Sequence, residues 1–315
     1  MADELDNDAA KVEAGGARSG TVALVGRPNA GKSTLLNQLL AEKLAIVSDK
    51  PQTTRQRIVG IHSEPRGQIV FFDTPRIHKP LHRMNRRMLQ EAESALQAAD
   101  IVCLLVDAAI PFGKGDEYLL EKLRTLRQPR FLLLNKIDLV RKDRLLPMIA
   151  HYAQTALFEE IVPVSALTGD NGERLLALLF ARLPEGAPLY DPELLTIHPE
   201  RFLVAERIRE KVLENTTQEV PFATAVLLER WENDTEKDMV RLWASILVER
   251  EGQKKILVGA GGSKVKEIGT AARLDLEEFL GKKVFLQLHI RVEPEWRENP
   301  RILAELEREA ALGGS

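Results

Sequence analysis

Cysteine is almost missing from this chain. Cys103 is the single one in 315 residues, so no internal disulfide can form. Its place inside the apolar run IVCLLV marks it as a small core residue rather than a nucleophile. A chain without disulfides fits a reducing cytoplasm. Net charge is scarce too: 44 Lys and Arg against 47 Asp and Glu leave a formal −3 at pH 7. No chain-wide attraction to a polyanion follows, and any nucleic-acid site has to be a local patch. No apolar run approaches the ~18 residues that argue for a membrane-spanning helix. The six histidines show no metal-ligand spacing. The opening MADELDNDAAKVEAGGARSG is acidic and polar and lacks the apolar stretch of a secretory signal. Residues 1–19 are therefore expected to form a disordered tail.

What is present falls into two halves. The length suits about two domains, and an apolar content of 44% is enough for packed cores. From Thr21 to about Arg182, the short apolar runs TVALVG, RQRIVGI, GQIVFFD, DIVCLLVDA, RFLLLNK and EIVPVSA alternate with segments of helical period. RRMLQEAESALQAA and YLLEKLRTL are examples of the latter. Continuous apolar strands alternating with helices predict an α/β domain over 20–183, a mostly parallel sheet with helices on both faces. Only HSEPR separates RQRIVGI from GQIVFFD, so that pair is expected to be an antiparallel hairpin. Prolines and loss of periodicity mark a linker over 184–199. Beyond it come a helix (ERFLVAERIREKVLENT), two strands (ATAVLLERWEN, MVRLWASILVER), a helical region around a glycine cluster, and a strand (KKVFLQLHIRV). These predict a smaller α+β domain over 200–300, with 301–315 as a C-terminal tail.

GRPNAGKST follows the apolar run VALV and precedes the helical pattern STLLNQLLAE. It fits the phosphate-loop pattern G-x-x-x-x-G-K-[ST] through Gly26, Gly31, Lys32 and Ser33, with Arg27, Pro28, Asn29 and Ala30 as the loop and Thr34 in the opening turn. Glycines let successive backbone N–H groups and the helix N-terminus face an anion. Lys32 is expected to bridge the β- and γ-phosphates, and the Ser33 hydroxyl to ligate Mg²⁺. NKID supplies Asn135, Lys136 and Asp138 at the end of the run RFLLL. The Asp138 carboxylate can accept from both N1–H and the 2-amino group of guanine. Adenine offers neither donor, so the motif selects GTP. Ser165 and Ala166 of VSA stand at the next strand end, where backbone N–H groups can reach the guanine carbonyl. In KPQTTRQR, the Thr54 hydroxyl is preferred over that of Thr53 to complete the Mg²⁺ shell. Asp73, closing GQIVFFD, is expected to hold Mg²⁺ through water. Lys32, Thr54 and Asp73 are the expected catalytic set, with Thr74, Pro75, Arg76 and Ile77 lining the nucleotide. Two of these are unusual. A phosphate sensor would usually have glycine where Arg76 stands, and Ile77 cannot orient a water as the glutamine of many GTPases does. Hydrolysis is therefore expected to be slow or to use another element.

GRPNAGKSTLLNQLL, PQTTRQRIVGI, FDTPRIHKP with HRMNRRM, and LNKIDLV occur in that order. Together they resemble the Era family of bacterial GTPases, and the resemblance runs from about Gly20 to Pro300. It implies a Ras-like P-loop GTPase domain followed by a C-terminal type II KH domain. It further implies Mg²⁺-dependent hydrolysis of GTP to GDP, binding of the 3′ end of 16S ribosomal RNA, and assistance to 30S subunit assembly. A monomer is implied, cytoplasmic and in part peripheral on the inner face of the cell membrane. Asn29 stands where potassium-stimulated GTPases carry a K⁺-ligand asparagine. The second half supports the resemblance on its own residues. ILVGAGGSKVKEIG holds the G-x-x-G loop Gly259, Ala260, Gly261 and Gly262, followed by Lys264 and Lys266. Such a loop clamps the backbone of about four nucleotides. Residues 252–291 carry eight Lys and Arg against four Asp and Glu, a local excess that the whole-chain charge hides. Trp231, Trp243 and Trp296 are read as packing residues, with Trp296 the most open case for base stacking.

Arg76 keeps one alternative in play, an RNA-binding scaffold that holds GTP but hydrolyses it poorly. A left-handed pivot costs a residue with a Cβ about 1–2 kcal/mol. The Arg76→Gly variant is therefore expected to bind GDP and GTP like the parent and to hydrolyse GTP faster. Single-turnover rates of both proteins check this, and a variant no faster than the parent would show that Arg76 does not obstruct the reaction.

Overall fold

The computed structural model describes residues 16–50, 53–75, 82–217 and 219–310. The chain divides into two units: the described residues among 1–45, 54–78 and 88–197, and those among 46–53, 79–87 and 198–315. The expected N-terminal tail is shorter than read, because Arg18 and Ser19 already belong to the first strand. The rest of it, 1–15, lies outside the described residues.

The first unit runs β1 (Arg18–Gly26), α1 (Lys32–Leu40), β2 (Ile58–Glu64), β3 (Gly67–Asp73), α2 (Arg83–Ala98) and β4 (Ile101–Asp107). It continues through α3 (Lys114–Arg124), β5 (Arg130–Asn135), α4 (Lys142–Ala153), β6 (Glu160–Pro163) and α5 (Gly172–Arg182). The strand order is β2-β3-β1-β4-β5-β6. Only β2–β3 is antiparallel; β3, β4, β5 and β6 extend the parallel sheet from β1. The central strands are buried on both faces, as an unbroken apolar run demands when helices cover both sides. Cys103 is wholly buried in β4, and burial pushes its thiol well above the ordinary range, as fits a core residue. The β2–β3 turn closes at Gly67, where φ is 142° and an added Cβ would sit 1.8 Å from the Arg18 carbonyl oxygen. Glycine is required there by the close approach of β1.

The linker segment has a fixed course along the hairpin. The Ile61 N–H donates to the Leu195 carbonyl at 2.8 Å. The buried Gln68 amide donates to the Tyr190 carbonyl and accepts from the Leu189 and Tyr190 N–H groups at 2.8–2.9 Å. A polar side chain with no exposed surface is thereby satisfied by backbone.

The second unit contains α6 (Glu200–Glu214), β7 (Ala225–Asp234), β8 (Met239–Val248), α7 (Glu251–Val258), α8 (Ser263–Leu280), β9 (Lys283–Val292) and α9 (Pro300–Ala310). Its sheet has the order β7-β8-β9, with β7–β8 antiparallel and β8–β9 parallel. The helices supply Val204, Ile208, Val212, Ile268, Ala272 and Leu276 to one core with Leu242 and Ile246 of β8. The C-terminal stretch read as a tail is helix through Ala310, with Ile302 and Leu303 buried. Residues 311–315 lie outside the described residues.

Trp296 is the packing residue that the sequence reading made it, and base stacking is closed to it. It is 0% exposed, and its indole N–H donates to the Ala223 carbonyl at 2.8 Å. Trp296→Ala should cost about 3–5 kcal/mol of stability. Trp296→Phe should cost less but leave the Ala223 carbonyl unpaired. Urea unfolding followed by circular dichroism checks this, and a loss below about 1 kcal/mol for the alanine variant would show that the site relaxes around the gap.

Candidate nucleotide and nucleic-acid sites

β1 ends at Gly26, and the chain turns away from the sheet so tightly that a Cβ there would lie 2.5 Å from the Leu105 carbonyl oxygen. The loop then needs two left-handed residues before α1 begins, Asn29 at φ 60° and Gly31 at φ 94°. Asparagine is among the few residues with a side chain that take this conformation at modest cost. At Gly31 a Cβ would also meet the Asn135 amide nitrogen at 2.2 Å. Residues alternating in hand turn successive N–H groups toward one point, a concavity suited to an anion.

Asn135 explains why that amide is so close. It closes β5, is 1% exposed, and donates to the Ala30 carbonyl at 2.7 Å while accepting from the Ala166 N–H at 2.9 Å. One side chain thus ties the phosphate loop to the VSA segment. Asp138 follows in a single 3₁₀ turn, Ile137–Leu139. Its carboxylate accepts from the Ser165 hydroxyl at 2.6 Å, which orients it. Lys136 takes φ 66°, and its ammonium pairs with Asp107 at 2.7 Å. The sequence reading missed Asp107, although the signal was present. It closes the apolar run of β4 as Asp73 closes β3, and it lies opposite Asn135 in the β4–β5 register.

Ser33, Thr54 and Asp73 meet in a triangle. The Ser33 hydroxyl donates to Asp73 Oδ2 at 2.6 Å, the Thr54 hydroxyl lies 3.1 Å from the same oxygen, and the two hydroxyls are 3.1 Å apart. Thr53 turns away and donates to the Lys50 carbonyl at 2.7 Å. Asp73 is 0% exposed, and burial raises its carboxyl above the usual range against the Lys32 charge and the two hydroxyl hydrogen bonds. Its Oδ1 has no hydrogen-bond partner among the described residues. A buried carboxylate oxygen beside two hydroxyls is the donor set a hard divalent cation takes. The Lys32 ammonium lies 3.4 Å from the Gly26 carbonyl. The Thr74 hydroxyl donates to the Leu24 carbonyl at 2.8 Å and fixes the end of β3 to β1. The Arg27 guanidinium pairs with the nearly buried Asp116 at 2.9 Å. Arg76 and Ile77 lie outside the described residues.

In the second unit, α7 ends at Val258 and the chain passes through Gly259, Ala260, Gly261 and Gly262 into α8. The three glycines have φ of 70°, 58° and 82°. At Gly261 and Gly262 an added Cβ would meet nothing within 4 Å, so backbone conformation, not crowding, calls for glycine. Lys264 pairs with Glu267 at 2.8 Å, and Lys266 is exposed. Ile256, which the sequence suggests for the core or groove floor, stands 47% exposed near this loop.

Family models match both units: a 50S ribosome-binding GTPase over residues 21–136 and a KH domain over 219–297. The chain is 49% identical over 288 residues to GTPase Era of Geobacter sp. (strain M21), covering 91% of this chain and 97% of that one. It is 45% identical over 291 residues to GTPase Era of Leuconostoc citreum (strain KM20), covering 92% and 96%. The chain belongs to the Era family. As a member of that family it is a GTPase, a hydrolase acting on GTP, which disfavours the scaffold alternative. Among solved structures, an Aquifex aeolicus Era variant bound to GDP·AlF₄⁻ superposes with a TM-score of 0.89 at 37% identity, covering 92% of this chain and 98% of that one. An Era in complex with MgGDPNP and nucleotides 1506–1542 of 16S ribosomal RNA is similar to the same degree, with a TM-score of 0.89 at 37% identity and the same 92% and 98% coverage.

Asn135→Ala removes both struts and leaves the Ala30 carbonyl and the Ala166 N–H unpaired in a buried place. Losses of about 1–3 kcal/mol correspond to roughly ten- to hundredfold weaker GDP binding. A titration with fluorescent mant-GDP measures it, and affinity within about twofold of the parent would show that the strut does not shape the site.

Proposed function

We propose that this chain binds and hydrolyses GTP in its first unit and binds the 3′ end of 16S ribosomal RNA in its second, assisting 30S subunit assembly. The state of the nucleotide governs how the KH domain engages the RNA. The observation that carries the reading is the Ser33–Thr54–Asp73 triangle with its unpartnered buried carboxylate oxygen, in a chain matched over nearly its whole length by Era. The Era structure that holds both MgGDPNP and a 16S fragment supports extending both ligands to this chain.

The donor set fits Mg²⁺, with the Ser33 and Thr54 hydroxyls and the Asp73 carboxylate as the residues that would hold it. Mg²⁺ bound there would neutralise charge that develops on the phosphoryl oxygens during transfer to water. Lys32 adds a second positive charge beside the loop. The N–H groups from Asn29 to Thr34 offer preorganised donors that cost no rearrangement when charge builds. The segment Thr74, Pro75, Arg76 and Ile77 is the stretch that would respond to the γ-phosphate. Lys136 and Asp138, braced by Asp107 and Ser165, would read the guanine edge, with Ala166 offering its neighbouring backbone. In the KH domain, Gly259, Ala260, Gly261 and Gly262 would let an RNA backbone approach the start of α8, with Lys264 and Lys266 supplying charge. Family resemblance extends the reading to a cytoplasmic monomer with peripheral contact at the inner face of the cell membrane. No described helix is long and apolar enough to cross a membrane, so such contact would be with its surface. Sedimentation of the purified chain and fractionation of cells bear on these two points; a stable dimer, or no membrane-associated fraction, would remove them.

Two experiments test the assignment. The Gly261→Asp, Gly262→Asp double variant places carboxylates where phosphates would lie and forces side chains into left-handed backbone. Affinity for a short 16S 3′-end RNA should fall by roughly tenfold or more while mant-GDP binding stays intact. Unchanged RNA binding in an anisotropy assay would refute the clamp. The second uses Asn29, whose left-handed conformation is fixed by the loop. A K⁺ ion there would add positive charge beside the reacting phosphates. Hydrolysis is expected to be faster in K⁺ than in Na⁺, with the difference lost in Asn29→Ala; identical rates in both salts would remove K⁺ from the reading.

A further inference from the structure

Beside the nucleotide loops, and sharing with them only Leu139 at the end of the Asp138 turn, lies a cavity of about 740 Å³ between the β4–α3 loop and α4. It is lined by Phe112, Met148, His151 and Tyr152, together with Ile110 and Leu139. Phe112 meets His151 and Tyr152 edge-on, with ring centroids 4.9 and 5.9 Å apart. The apolar lining reaches the surface, because Ile110, Phe112 and Leu139 are all exposed. Ordinary surface hydrophobes occur singly; a contiguous set around a concavity marks a binding face.

Two features say what the face takes. Tyr152 lines the cavity and is 2% exposed, yet its hydroxyl has no hydrogen-bond partner among the described residues. Burial raises its titration far above neutral pH, so the group stays a donor. The hydroxyl is itself buried, so what Tyr152 offers the cavity is apolar ring, alongside Phe112 and Met148. The second feature is the start of α4. Arg141, Lys142 and Arg144 stand exposed there against one acidic residue, Asp143, which Arg141 engages at 3.2 Å. Helix N-termini favour acidic side chains, and cations there oppose the helix dipole. Three cations at this position serve the helix poorly and an anionic ligand well.

We propose that this face docks an acidic peptide segment of a partner protein. An aromatic or aliphatic anchor fills the cavity, and carboxylates flank Arg141, Lys142 and Arg144. A concave apolar floor suits a side-chain anchor better than a stacked base, which takes a flat platform.

The test uses the full chain loaded with GDP and a short fluorescein-labelled helical peptide with a Leu/Phe face and glutamates elsewhere. Two controls replace its glutamates with lysine or its apolar face with alanine. Saturable anisotropy change is expected with the acidic peptide and roughly tenfold weaker binding with either control. Phe112→Ala and Arg144→Glu should each weaken it by a similar factor. Phe112 and Arg144 are exposed positions, and unchanged mant-GDP affinity verifies that each variant is folded. Equal binding of acidic and basic peptides, or binding indifferent to both variants, overturns the proposal. So does tighter binding of a single-stranded RNA that the same variants abolish. Concentration-dependent dimerisation lost in Phe112→Ala would assign the face to a second copy instead.

Discussion

A carboxylate with no exposed surface has to be matched by its surroundings, and in the first unit the matching of Asp73 organises the elements around it. Burying a charge without partners is prohibitively costly. The end of β3 therefore lies where α1 brings Ser33, the loop before β2 brings Thr54, and the phosphate loop brings Lys32. Lys32 and Ser33 are consecutive at the start of α1 while Thr54 comes from a separate loop, and the parallel register of β1 with β3 carries the carboxylate to them. The oxygen left over, Asp73 Oδ1, is what turns a structural arrangement into a site.

Both loops proposed to face anions rely on backbone rather than on long side chains. In the first unit, Asn29 and Gly31 take left-handed conformations, and Asn135 locks the result by holding the Ala30 carbonyl. In the second, three left-handed glycines do the same work between α7 and α8. Backbone N–H groups lose little conformational freedom when a phosphate arrives, so a rigid loop presents them already aimed. The cations serve in a secondary role, and several are already engaged: Lys136 by Asp107, Arg27 by Asp116, Lys264 by Glu267. An anion that binds near them competes with or joins an existing pair, which tempers raw attraction and keeps recognition dependent on shape.

Much of this was legible in the residues. Unbroken apolar runs predict strands covered on both faces, and β1, β4 and β5 are such strands. The five residues HSEPR predict the hairpin that β2 and β3 form. Gly26, Gly31 and Lys32 place the loop because the motif needs specific backbone freedom at fixed spacing, a local property that sequence carries directly. The reading faltered where long-range packing decides. Trp296 reads as a packing residue from sequence, but nothing nearby in sequence names Ala223, which accepts its hydrogen bond. The C-terminal stretch looked like a tail because its buried Ile302 and Leu303 need a partner surface assembled from distant chain.

The sequence by itself determined the order of elements, the glycines that permit left-handed turns, and the polar residues that close apolar strands. These depend on local sterics and on hydrophobic period, both written along the chain. Tertiary structure alone decided that Thr54 rather than Thr53 joins Ser33 and Asp73, since adjacent threonines have the same chemistry and only the course of the loop separates them. It also decided that Asn135 braces two loops, that Asp107 holds Lys136, and that the Tyr152 hydroxyl is buried without a partner among the described residues. Each of these is a meeting of side chains far apart in sequence or turned one way by packing. A chain read in one dimension has no term for the distance between them.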